Sequence, residues 1–418
     1  MLLRFTFISF LLLIISNGFS QEKYVKRHEN GNIAFEGSFD ANGKHEGLWK
    51  AYYENGKPKS TFTYKNGLLQ GPASIYYPES GKISAKVNYI NDKKEGEEIW
   101  YNEDGTIDYI QHFKNDILEG DYKSYFSNGE VNVEGQYLNG KKTGKWISYS
   151  KKENRDGDIF KIENFLAGEK HGVQKTYLPA KEKEGNYLWH VSTYENGKEI
   201  GESTFYHENG QIHEIIFYKN YEKDHFQSFN KEGKIIEEGK YLNDMKTGIW
   251  KNYVYPENGN KYIGRSRLYK NDVFVIDSIF YENGQLQQLM LNDGNGNLQS
   301  KEYYQSGSLL REGEYKNFKK EGIWKEYFDN STQLKISIPY SNNMLNGIYI
   351  SYHLNGKVFY KIEFEQNKMM EILLLLDKEG KPLDKGTLVN GNGTYNDYNY
   401  QGELINTFTI ENGTMKKK

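Results

Sequence analysis

The chain has 418 residues and a net charge of −3, from 54 Lys+Arg against 57 Asp+Glu. That balance excludes a strongly basic nucleic-acid or membrane-surface binder as the default reading. The absence of Cys excludes disulfides, thiolate metal sites, Cys nucleophiles and lipidated cysteines, and 36 Tyr with 15% aromatic residues at low net charge argue against disorder.

Met1 to Ser20 reads as a secretory signal peptide. Arg4 supplies the positive start, Phe5 to Ile15 the apolar core, and Gly18 and Ser20 the small residues before a cut at Gln21. The apolar run is shorter than the roughly twenty residues a spanning helix needs. The expected destination is secreted, periplasmic or cell envelope. No later stretch has spanning length; Met369 to Leu376 is short and broken by Glu371.

From Tyr24 onward the chain repeats. Glu36-Gly37-Ser38-Phe39 leads to Gly47-Leu48-Trp49 and Tyr52-Tyr53. Glu134-Gly135-Gln136-Tyr137 leads to Gly144-Lys145-Trp146 and Tyr149, and Glu238-Gly239-Lys240-Tyr241 to Gly248-Ile249-Trp250 and Tyr253. Glu312-Gly313-Glu314-Tyr315 leads to Gly322-Ile323-Trp324 and Tyr327-Phe328. Between these blocks a turn glycine recurs about every 22–26 residues, for example at Gly31, Gly56, Gly81, Gly105 and Gly129. A second turn follows about eleven residues later, at Asn66-Gly67, Asn91-Asp92, Asn115-Asp116, Asn139-Gly140 and Asn271-Asp272.

Each unit thus has two turns and two short alternating segments. Asn-Gly and Asn-Asp suit corners with positive φ. Tyr, Phe, Val, Ile and Thr suit a pleated surface, and a corner every twelve residues or so leaves no room for a usual helix. The expected fold is all-β: an elongated antiparallel β-meander of tandem β-hairpins over 21–418, about sixteen units in one twisted sheet. Strict alternation puts Trp49 and Tyr53 on one face and Tyr52 on the other. Bulges at the recurring glycines would move some rings to one side, and both arrangements stay open. Two stretches break phase, about 150–190 and Phe205 to Phe229.

The Tyr-Tyr-x-Asn-Gly … Asn-Gly-x-x-x-Gly-x-Trp pattern resembles the MORN repeat, in the variant found in strings in bacterial proteins. The resemblance covers 24–418 and is best at 24–149 and 229–328. It implies a hairpin sheet, no intrinsic catalysis, and protein–protein or protein–membrane contact. Bacterial variants are often labelled antitoxin-like, which implies a partner toxin.

Chemistry-bearing constellations are sparse. The nine His show no metal spacing, and His45 and His171 read as turn residues. Asp293-Gly294-Asn295-Gly296-Asn297 resembles the start of a calcium loop, but Tyr304 stands where the closing Glu belongs, and the string occupies a repeat turn. Glu97-Glu98 and Glu237-Glu238 are neighbours on strands and so point to opposite faces, against joint acid–base work. Lys57, Lys82, Lys141, Lys142, Lys319 and Lys320 read as edge protection, and Lys416-Lys417-Lys418 as a solvated tail. Trp49, Trp100, Trp146, Trp250 and Trp324 fall at or near corresponding positions. They are either an internal aromatic ladder, the preferred reading, or an exposed binding row.

No catalytic, metal or cofactor residue is assigned. The expected function is an exported, non-enzymatic scaffold with a protein partner. An antitoxin and a peripheral membrane binder are the alternatives; neutral charge disfavours the second.

Overall fold

The computed structural model describes residues 22–150, 158–181, 184–257 and 259–416, so the expected signal peptide lies outside the described residues. Those residues contain strands and turns but no helix. They divide into two units between Lys198 and Glu199. In each unit the described strands pair antiparallel with their neighbours in sequence, and no pairing among the described residues closes the strands into a barrel. The fold is the expected meander of hairpin repeats.

Two corner types alternate. At the first, Gly56 donates its N–H to Tyr53 O and Tyr53 donates to Lys57 O, with Gly56 at φ 81°. At the second, Asn66 and Gly67 sit at φ 54° and 84°, the two left-handed residues of a tight hairpin turn. Asp often replaces that Gly, as at Asp92 (φ 66°) and Asp116 (φ 68°), where a side chain is normally strained. A double hydrogen bond offsets the strain. Asp92 N donates to Leu69 O at 3.0 Å, while its Oδ1 accepts Leu69 N at 2.6 Å. Asp116 grips Lys94, and Asp272 grips Lys246, in the same way. Each such corner is therefore tied to the strand one repeat earlier.

The opposite edge is stitched by rings. Tyr53 Oη donates to Tyr76 O at 3.1 Å, Tyr77 Oη to Tyr101 O at 2.6 Å, Tyr281 Oη to Tyr303 O at 2.8 Å, and Tyr304 Oη to Tyr327 O at 2.9 Å. His28, His207 and His353 make the equivalent contacts. Tyr53 thus runs along the edge and does not share a face with Trp49. Tyr52 lies opposite Trp49, as alternation requires, and donates to Glu36 at 2.7 Å.

Strands Ile159–Leu166, Gly172–Pro179 and Asn186–Glu195 continue the meander through the stretch that breaks phase in the sequence. The one cluster of buried apolar side chains among the described residues lies at the C-terminal end of the second unit. There Leu388, Tyr395 and Ile410 pack with Phe359, Ile362, Ile372 and Leu375. Tyr395 and Ile410 come from a separate three-stranded sheet, residues 393–415, which caps that end.

Candidate functional site

Four tryptophans define the repeating chemistry, two in each unit. Trp49, Trp146, Trp250 and Trp324 are 9%, 3%, 2% and 0% exposed. Each lies flat on the glycine of the preceding strand: Gly37, Gly135, Gly239 and Gly313. A Cβ at these glycines would fall 2.5–2.7 Å from the indole Cγ and closer still to Cδ2 and Cε2. Their φ is not positive, so the glycine is required for space and not for backbone freedom. Each indole Nε1 donates to the carbonyl of the residue after that glycine, at 3.1–3.2 Å. The ring two residues after the glycine (Phe39, Tyr137, Tyr241 or Tyr315) meets the indole edge-on at 5.1–5.2 Å.

The outer side of each indole is covered as well. Lys142, Lys246 and Lys320 place Nζ 4.0, 3.8 and 4.4 Å from the indole centroids. His45 takes this role over Trp49, at 4.1 Å between ring centroids. So Lys142, Lys320 and His45, read from sequence as edge or turn residues, are lids on the indoles. Burial holds Lys320 below the usual ammonium range. The tryptophans form the ladder and offer no exposed row to a ligand.

The other face repeats too. Tyr52, Tyr149, Tyr253 and Tyr327 donate to Glu36, Glu134, Glu238 and Glu312 at 2.6–2.8 Å. The carboxylate bond, with burial, pushes Tyr52 up to about 12; burial first and then the bond do the same for the other three. These contacts explain the Glu before the glycine and the Tyr after the tryptophan.

Trp100 does not belong to the set. Gly96 sets the local register, so Glu98 stands in the tryptophan position and Trp100 two residues beyond, stacked on Tyr109 at 5.8 Å. Glu98 is 3% exposed and bonded to Lys94 at 2.6 Å and to Gln111, while Glu97 faces away and is half exposed. Glu237 and Glu238 likewise part: Glu238 joins Tyr253, and Glu237 does not share that contact. Asp293 is engaged by its own turn, with Oδ1 accepting from Asn295 N at 2.7 Å and Oδ2 from Asn297 Nδ2 at 2.8 Å. Among the described residues no group of three or more His, Asp or Glu is placed to hold a metal ion.

Between Trp250 and Trp324 sequence reasoning missed a charged interlude. Arg265, Arg267 and Arg311 are half of the six arginines in the chain, and all three stand on the tryptophan face of the second unit. Asp277, 1% exposed, occupies the tryptophan position. Arg265 grips it with two bonds, Nε to Oδ1 at 2.7 Å and Nη2 to Oδ2, and Arg267 Nε lies 3.2 Å from Oδ2. Arg311 bridges Glu302 at 2.7 Å and Glu326 at 3.3 Å and lies over Trp324. Ser300 stands there in place of the ring (Tyr24, Tyr122 or Phe226) that stacks beside the other indoles. The rarity of Arg in a Lys-rich chain was the signal available in the sequence. The planar guanidinium suits bidentate pairing with a buried carboxylate.

On the reverse face the same strands carry Ile249, Leu268, Ile276 and Leu291, directly paired in that order across four successive strands. Ile249 is 57% and Leu291 40% exposed. The four make a continuous aliphatic strip about 14 Å across at the usual strand spacing.

Ring-on-glycine seats, stitched corners and two-strand periodicity define a tandem β-hairpin repeat scaffold. The chain is a MORN-repeat protein: residues 46–66, 94–115, 118–139, 199–220, 297–317 and 345–366 match the MORN repeat variant. No curated protein matches the chain. Among solved structures, a porin-like protein from Bacteroides uniformis is 9% identical, with 70% of this chain and 95% of that one covered at a TM-score of 0.11, which supports no argument from its shape.

Proposed function

We propose that this protein is an exported, non-enzymatic scaffold that binds a protein partner through the face opposite its tryptophans. The observation that carries the reading is the in-register strip Ile249–Leu268–Ile276–Leu291. Exposed aliphatics scattered singly are ordinary, but a contiguous strip is characteristic of an interaction surface. The strip is bordered by polar residues, Lys251 and Ser266 among them, as the apolar centre of a protein interface is. Export rests on the Arg4, Phe5–Ile15 and Gly18/Ser20 pattern.

The test places a photo-crosslinking residue at Ile249 and at Leu291, with Gln288 on the tryptophan face as control, in the native host. The expected result is one protein adduct, the same from both positions and absent from Gln288. No protein adduct from either position refutes the surface. Amino-terminal sequencing of the chain from the envelope fraction should begin at Gln21; an intact Met1 in the cytosol refutes export.

A further inference from the structure

The ring column of the first unit is finished on one side only. Tyr24 lies on the tryptophan face, beside Trp49 at 5.9 Å and edge-on to Phe39 at 5.4 Å, across Gly37. Its internal counterpart Tyr122 stands beside Trp146 at 5.4 Å across Gly135. Tyr122 also has a ring on its other side, Tyr109 at 6.2 Å and nearly parallel, which in turn stacks on Trp100. Tyr24 has no such second neighbour among the described residues and is 39% exposed, with Val25 at 41%. Among the described residues the strand Glu22–Arg27 pairs on one side only, with Ile33–Phe39. An unpaired strand edge is a template for another strand.

We propose that a second copy of this chain completes that edge, as an antiparallel pair of Glu22–Arg27 strands centred on Tyr24. A two-fold axis then sets Tyr24 opposite Tyr24, Lys23 opposite Val25, and Glu22 opposite Lys26 of the other copy. The antiparallel sense continues the meander, and both tryptophan faces lie on the same side of the joint sheet. The two Tyr24 rings then stand directly opposite each other, closer in register than Tyr109 and Tyr122, which stack at 6.2 Å although Tyr109 pairs with Ser124, two places along. The alternatives are worse. Moving the register by one residue turns the two tryptophan faces to opposite sides and separates the rings. Moving it by two sets Lys23 against Lys23 or against Arg27, and like charges directly opposite destabilise a pair. Such an interface is small for a stable dimer, so it forms in a concentration-dependent way.

The chain has no Cys, so single cysteines report the register without background. Directly opposed strand residues have Cα atoms about 4.5–5.5 Å apart, within disulfide reach, whereas residues offset by two stand about 8 Å apart, outside it. Full-length Lys23→Cys and Val25→Cys chains are oxidised with copper–phenanthroline, separately and mixed. The expected result is a disulfide-linked dimer at least about tenfold more abundant in the mixture than in either chain alone. Light scattering of the unmodified chain should show the apparent mass doubling as concentration rises from micromolar towards millimolar. Tyr24→Lys should remain monomeric with an unchanged circular dichroism spectrum. Equal cross-linking in all three samples, a monomer throughout, or an adduct of Val25→Cys with a different protein would each overturn the proposal.

Discussion

Gly135→Ala tests the ring-on-glycine seat directly. The added methyl carbon would lie 2.6 Å from Trp146 Cγ and closer to two other indole atoms, where a relaxed carbon contact is about 3.5–4.0 Å. The ring must move by about 1 Å or more. It has nowhere to go, because Lys142 Nζ covers it at 4.0 Å, Tyr137 meets it at 5.1 Å, and Tyr122 stacks on it at 5.4 Å. Overpacking costs about 1–3 kcal/mol. Losing the 3.2 Å bond from Nε1 to Gln136 O adds about 1 kcal/mol, and loosening the ring pairs about another. The total is about 3–5 kcal/mol, localised around strands Val131–Leu138 and Lys141–Tyr149 because neighbours in an array couple mainly to each other. Urea unfolding followed by near-ultraviolet circular dichroism, with amide exchange to locate the loss, measures it. In a Trp146→Ala background the same Gly135→Ala change should be neutral or stabilising by about 0.5–1 kcal/mol, since Ala suits a strand interior better than Gly. A single-variant cost below about 0.5 kcal/mol, or the same cost in both backgrounds, would refute the seat.

Three further outcomes follow from the same geometry. Asp116→Ala removes the acceptor for Lys94 N while keeping a strained left-handed residue, so it should cost about 1–2 kcal/mol and speed exchange of the Lys94 amide; Asp116→Gly should cost less, because glycine relieves the strain. The four Glu-bonded tyrosines hold their protons to about pH 12 when folded, against about 10 unfolded. Their contribution is complete below pH 10 and lost as pH rises through 12, so stability should fall over that window, and phenolate absorbance should reveal a late-titrating group that Glu134→Gln shifts earlier. Asp277→Ala leaves Arg265 and Arg267 facing each other without their carboxylate; the arginines are about a third exposed, so a loss near about 2–3 kcal/mol is expected by thermal melting, at the low end for a broken buried pair.

Corners were the most legible feature of the sequence, because Asn-Gly, Asn-Asp and the recurring glycines state their backbone conformation locally. The strands between them followed from corner spacing. What a residue touches was less legible, because its partner stands roughly ten to twenty-four residues away on another strand. The Glu-Gly motif was visible at Gly37 and Gly135, but its reason, an indole lying on the glycine from the next strand, is a packing fact. Trp100 looked like Trp49 because Tyr follows both; counted from Gly96, it falls two places late and Glu98 takes the position. Lys142 and Lys320 resembled solvated edge residues until pairing carried them over indoles. The arginine interlude keeps every corner in place, so corner spacing alone passes over it.

The doubly tied corners also govern how such a chain can change length. Asp92 is bonded to Leu69 through both its amide and its carboxylate, and Asp116 to Lys94 likewise. Inserting or removing one or two residues in the strands between two such corners pulls the knot that joins them out of register. Duplicating or excising a whole pair of strands leaves all the knots matched. Changes of length that keep these corners tied therefore come as intact hairpins.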